Sequence, residues 1–184
     1  MASPVRPLVV EVEERTWREY VDRSAEWLET ATLLQATFRK MLEDTVDDVD
    51  EPHIRGSLDE VLDAARRHEG LISELYVAFS RDRLPPGQAR ASMLARTRDV
   101  VAHVEGLAAG APPGTWRKLR ELALTNVDST TGFAVVEQLG LAMGLPAVVD
   151  LVQPVIHEKT RHQMVLRECL LETATAAVLY RSPP

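Results

Sequence analysis

The chain has 184 residues, 45% hydrophobic, 27% charged and 5% aromatic, the make-up of one soluble globular domain with a substantial core. Its formal net charge of −7 excludes general nucleic-acid binding, because a phosphate backbone would be repelled, and no stretch approaches the roughly 20 apolar residues that span a bilayer. One cysteine, Cys169, excludes an intramolecular disulfide and fits a reducing, cytoplasmic setting.

Aromatics are few and Ala, Leu, Val, Glu and Arg dominate, so the expected class is all-α. Residues 1–13 contain two prolines and a short β-branched run, which reads as an extended arm. A first helix follows from about Arg15 to Asp44, with Trp17, Val21, Ser24, Leu28, Ala31, Phe38 and Leu42 inward. The acidic run Asp47, Asp48, Asp50 and Glu51 before Pro52 ends it as a solvated turn. A surface cation site there is the lesser alternative, because EF-hand spacing and glycine are missing.

Ser57 and Glu60 form a capping-box pattern that opens a second helix, ending near Asp82 ahead of Pro85 and Pro86. Its stripe is Leu58, Val61, Ala65, His68, Ile72, Leu75 and Phe79, with a histidine in the middle. A crossover helix is expected from about Gln88 to Ala108, closed by Gly110, Pro112, Pro113 and Gly114.

The next segment, Thr115 to Met143, places Trp116, Leu119, Ala123, Val127, Thr130, Ala134, Glu137 and Leu141 on one side. Within it, residues 125–132 are poor helix formers and mark either a kink or a break capped by Asp128 or Ser129. Gly144 and Pro146 stop one helix and start the last, Ala147 to Arg181, in which Pro154 is a candidate bend. The arrangement expected is an antiparallel four-helix bundle with one long connection.

The last helix carries the most informative pattern. Leu151, Val155, Glu158, His162, Val165, Cys169, Thr173, Ala176 and Tyr180 share one face, so a carboxylate and an imidazole point at the core. Burying them costs free energy unless they pair, bind a metal or change protonation. Counting residues from the turns sets Glu158 level with Thr130 and His162 level with Asn126, and brings His68 to the same depth. The expected polar layer is His68, Asn126, Thr130, Glu158 and His162, with Glu137 inward but nearer a bundle end. Glu26 and Glu29 lie opposite the first helix's apolar stripe.

Two readings of this layer stand side by side. His68, Glu158 and His162 can ligate one Fe(II) or Mn(II) ion, or less readily Zn(II), with Glu158 and His162 at i and i+4 converging on it. Alternatively, they form a hydrogen-bonded network with no metal. His157-Glu158 followed by His162 is not a zinc-protease motif, because the second histidine comes one residue late. His53 and His103 read as surface residues.

The stretch Ala65-Arg66-Arg67-His68, the run from Gly132-Phe133 through Leu139-Gly140-Leu141 and Gly144-Leu145-Pro146, then His157-Glu158 and Leu166, resemble the ferritin-like proteins, specifically small bacterial stress-associated bundles of the YciF type. The resemblance covers residues 56–175 and implies a di-metal site of glutamates and Glu-x-x-His pairs. Carried onto this chain, His68 matches the second-helix histidine, but Ala65 stands in place of its glutamate partner. Glu158 matches the last-helix glutamate, with Arg161 at the histidine position. Asn126 or Ser129 replaces the third-helix glutamate, and Glu26 would be the first-helix ligand.

The resemblance therefore implies a ferritin-like scaffold with a degenerate di-metal site, acting without ferroxidase chemistry as a stress-related or partner-binding protein. The alternatives are a metal-dependent oxidoreductase using the rearranged His68, Glu158 and His162 set, and a bundle binding a small organic molecule beside Asn126 to Thr131. Exposed apolar candidates Trp27, Leu33 and Tyr76 suggest a homo-oligomer, most simply a homodimer.

Overall fold

Apolar side chains recurring at three- and four-residue steps need a partner surface along their whole length, and four long helices supply it to one another. The computed structural model describes residues 11–79 and 114–179. They form α1 (Glu14–Val46), α2 (Pro52–Ala78), α3 (Thr115–Ala142) and α4 (Pro146–Leu179), with no strand among the described residues. No helix among them is long and apolar enough to cross a membrane.

Cross-helix contacts fix the directions. Arg39 meets Glu69, and Arg66 meets Glu43, so α1 and α2 are antiparallel. Ser24 meets Met143, and Lys118 meets Asp48, which sets α3 antiparallel to α1. His53 with Glu172 and His68 with Glu158 do the same for α2 and α4. Hence α2 and α3 point the same way, and Phe79 and Gly114 stand at opposite ends of the bundle. The expected crossover helix at 88–108 and most of the N-terminal arm lie outside the described residues.

Among the described residues the core is two apolar clusters, not one. Toward the 47–51 turn, Phe38, Leu42, Leu58, Val61, Leu119, Leu122 and Leu166 pack together; toward the 143–145 turn, Leu28, Ile72, Leu75, Phe133, Val136, Val148 and Val152 do. Each helix passes from one cluster to the other through a polar residue: Gln35 on α1, His68 on α2, Asn126 and Ser129 on α3, Lys159 on α4, all buried. The fold thus sets a polar layer halfway along its length.

Several expectations change. α2 starts at Pro52, not Ser57; proline suits a first turn whose N–H has no intrahelical acceptor. Ser57 instead donates its hydroxyl to the His53 carbonyl. Residues 125–132 do not break α3. Thr125, Thr130 and Thr131 donate back to the carbonyls of Glu121, Asn126 and Val127, so their hydroxyls are satisfied within the helix that they were expected to disrupt. α4 likewise continues through Pro154.

The buried face of α3 also runs one residue off the expected one after Ala123, through Asn126, Ser129, Phe133, Val136 and Gly140, leaving Val127 and Leu141 exposed. On α4 the buried line is Val148, Val152, Val155, Lys159, Leu166 and Cys169, with Glu158 and His162 at its edge. Tyr76, expected on a dimer face, is buried against Thr32.

The α3–α4 turn holds this register. Gly144 has φ +65°, and Leu145 N–H donates to the Gly140 carbonyl at 2.8 Å while Gly144 N–H donates to Leu141 at 3.1 Å, closing the helix in a Schellman motif. Gly140 itself lets α4 approach: a Cβ there would lie 2.8 Å from Val148 Cγ1 and 3.0 Å from Val148 Cβ. Because valine is stiff at χ1, Gly140→Ala is expected to lose roughly 1–3 kcal/mol in urea denaturation, despite alanine's higher helix propensity. A gain in stability would show that the turn has slack.

Candidate functional site

At the centre of the layer is a residue the sequence pattern assigned to no site. Lys159 is fully buried, with 0% of its surface exposed. Its Nζ donates to Gln35 Oε1 at 2.8 Å and lies 4.3 Å above the Phe38 ring. Gln35 Oε1 also accepts from Ser129 Oγ at 3.1 Å, and Gln35 Nε2 donates to the Ala65 carbonyl at 2.9 Å. All four helices therefore meet at one glutamine and one lysine.

Burial pushes the Lys159 ammonium down to about 7. The Gln35 carbonyl and the π face of Phe38 act the other way, since both favour the charged form.

Beside it, on the seam between α2 and α4, lie three of the expected site residues, His68, Glu158 and His162. His68 Nε2 is 2.7 Å from Glu158 Oε2, and Arg67 donates to Glu158 Oε1 at 2.8 Å. The His162 ring centroid is 6.2 Å from that of His68. Burial lowers the His68 pKa against the opposing pull of Glu158. Burial would raise Glu158, but the His68 hydrogen bond and the neighbouring positive charges outweigh it and hold the carboxyl below its usual range.

These directions give an ionised Glu158 flanked by a permanent Arg67 cation and a neutral His68 whose Nε2 carries the proton. His68 Nδ1 is then a buried acceptor with no hydrogen-bond partner among the described residues.

The remaining expected residues lie on α3 and α1. Asn126 is buried, and its Nδ2 donates to the Lys159 carbonyl at 3.1 Å and to Gln163 Oε1 at 2.8 Å, so it ties α3 to α4. Thr130 donates to the Asn126 carbonyl of its own helix. Glu137 is half-buried on α3, nearer the 143–145 turn. Glu26 is exposed, and the α1 residue that faces the layer is Gln35. Ser129 spends its hydroxyl on Gln35, while Asn126 Oδ1 is buried with no hydrogen-bond partner among the described residues.

Among the described residues no group of three or more His, Cys, Asp and Glu side chains is arranged to hold a metal ion. Both Glu158 oxygens already accept, and the layer's centre is filled by the Lys159 amine on Gln35. Cys169 is a free buried thiol, pushed up in pKa by burial. No family model matches the chain, and no curated protein matches it significantly.

The histidines have a consequence for acid stability. Burial drives His162 down to about 4 from an ordinary 6.5. The unfolded chain therefore takes up a proton below pH 6.5 that the folded chain refuses until about pH 4, so stability falls as pH falls through that window. With allowance for the ring's partial exposure, the loss is expected to be roughly 2–3 kcal/mol, and a His162→Gln variant should show that much less acid sensitivity between pH 6.5 and 4. Parallel pH–stability curves for the two proteins would contradict the assignment.

Proposed function

We propose that this chain is a ferritin-like four-helix bundle in which an internal ammonium takes the place of a di-metal centre, and that it acts as a partner-binding protein without ferroxidase chemistry. One observation carries the reading. At the level where helices α1 to α4 converge, they contribute Gln35, the Ala65 carbonyl, Ser129 and the fully buried Lys159.

A di-iron or di-manganese centre does not fit that set. Such a centre draws its charge balance from several carboxylates projecting inward, whereas here a lysine ammonium supplies the positive charge and neutral oxygens surround it. Glu158, the carboxylate beside the layer, is neutralised by Arg67 and bonded to His68.

A second reading, a single Fe(II), Mn(II) or Zn(II) ion on His68, Glu158 and His162, takes its support from the unpartnered His68 Nδ1 and the neighbouring His162 ring. It requires Glu158 to give up its present partners.

Elemental analysis of protein purified without chelator, together with aerobic Fe(II) oxidation, separates the two. The proposal expects substoichiometric metal and oxidation at the buffer rate. Stoichiometric metal that disappears in His162→Ala would establish the second reading instead.

A further inference from the structure

The one-residue shift of the α3 core leaves a surface the polar layer does not use. Val127 and Leu141 were expected inside and are 45% and 56% exposed; Leu124 on the same helix is 44% exposed. Leu124, Val127, Thr131, Ala134, Gln138 and Leu141 follow one another at steps of three and four, the spacing of a helix-packing seam. Their outward row is flanked on α4 by Gln153, Thr160, Met164 and Leu171, of which Met164 and Leu171 are 64% and 60% exposed. The two rows are neighbours because α3 and α4 are antiparallel, with Gly140 against Val148 at one level and Asn126 against Gln163 at another.

This face differs in charge from the rest of the bundle. The exposed sides of α1 and α2 are occupied by ion pairs such as Lys40–Asp44 and Arg66–Asp63. The α3 row from Leu124 to Leu141 contains no charged side chain. On α4 the exposed Arg167 stands between Met164 and Leu171, toward one end of the face, and a chain of net charge −7 repels its own copies least where few charges oppose each other.

The size is adequate as well. The α3 row spans about 25 Å, and two adjacent helices present a face roughly 20 Å wide. That gives about 500 Å² per copy and about 1,000 Å² in total, at the lower bound for a specific interface.

We infer that the outer α3–α4 face is the contact surface of a homodimer, in which Val127 and Met164 of each copy lie in the apolar centre against the same helix pair of a second copy. A two-fold axis lying in the plane of this face and crossing the helices at right angles packs each row of apolar side chains against its own image, which closes the assembly at two copies.

Sedimentation velocity and light scattering over a range of concentrations test this. The wild-type protein is expected to have twice the 20.5 kDa chain mass. Met164→Asp and Val127→Asp, each at an exposed position, should weaken dimerisation by roughly 30-fold or more while leaving helical circular dichroism unchanged. Val77→Asp, at a 57% exposed site on α2, should leave the dimer intact. Leu124→Glu provides a further variant of the same face if either aspartate variant loses its helical signal. A wild-type monomer at all concentrations, or a dimer that survives both aspartate variants and is broken by Val77→Asp, overturns the assignment; the former outcome means the face is covered within one chain or left bare.

Discussion

Replacing Gln35 with leucine is expected to destabilise the protein by roughly 3–5 kcal/mol, the range seen when one partner of a buried charged contact is removed. Gln35 is fully buried and serves three helices at once. Its Oε1 accepts from Lys159 Nζ and Ser129 Oγ, and its Nε2 donates to the Ala65 carbonyl. Leucine fills a similar volume, so the loss reports the uncompensated ammonium more than a cavity.

The Lys159→Met variant should be much milder, because Gln35 keeps Ser129 and Ala65 as partners and a buried charge is gone. The double variant Gln35→Leu with Lys159→Met should recover most of what Gln35→Leu loses, read as a coupling energy in urea denaturation. Additive losses would mean that Lys159 carries no charge in the folded state.

The ring beneath the ammonium gives the second large effect. Phe38 and Phe133 are both fully buried, one in each apolar cluster. Truncating either to alanine is expected to lose about 3–5 kcal/mol through lost burial and the cavity left behind. Phe38→Ala should exceed Phe133→Ala by about 1 kcal/mol, the scale of a desolvated cation–π contact, because Lys159 Nζ sits 4.3 Å above that ring. In a Lys159→Met background the excess should vanish. Equal losses for the two phenylalanines in the presence of Lys159 would show that the ring only fills space.

Much of the fold was legible because helix periodicity is a property of apolar residues. On α2, Leu58, Val61, Ala65, Ile72, Leu75 and Phe79 left no ambiguity of phase, and His68 fell inward with them. On α3 the pattern was ambiguous. Asn126, Ser129 and Gly140 occupy core positions while Val127 and Leu141 face outward, so hydropathy favoured the wrong phase by one residue.

The same bias hid the centre of the site. Lysine is almost never fully buried, and glutamine seldom is, so hydropathy points to the neighbours of Lys159 and Gln35. Their joint signal was visible only as a pair: each interrupts a run of core positions on its own helix, between Ala31 and Phe38 and between Val155 and Leu166. Pairing residues on different helices requires knowing their relative depth. Turn lengths supply that depth for α2, α3 and α4, whereas on α1 Glu26 enters only as the ligand that the family resemblance implies.

The shift also redefines Glu158 and His162. They flank the layer on the α2–α4 seam, where Arg67 neutralises the carboxylate and His68 donates a hydrogen bond to it, and the group at the bundle's middle is the buried Lys159 amine on Gln35.

The most direct test of that substitution is the denaturation midpoint measured with and without excess Fe(II) under anaerobic conditions, and with Mn(II) or Zn(II) in parallel. A folded-state site would stabilise the protein by about 2.7 kcal/mol at a free metal concentration of 100 times its Kd. Under the proposed reading, the midpoint is expected to stay where it is for all three ions. A rise in midpoint that is abolished by His162→Ala would contradict the account.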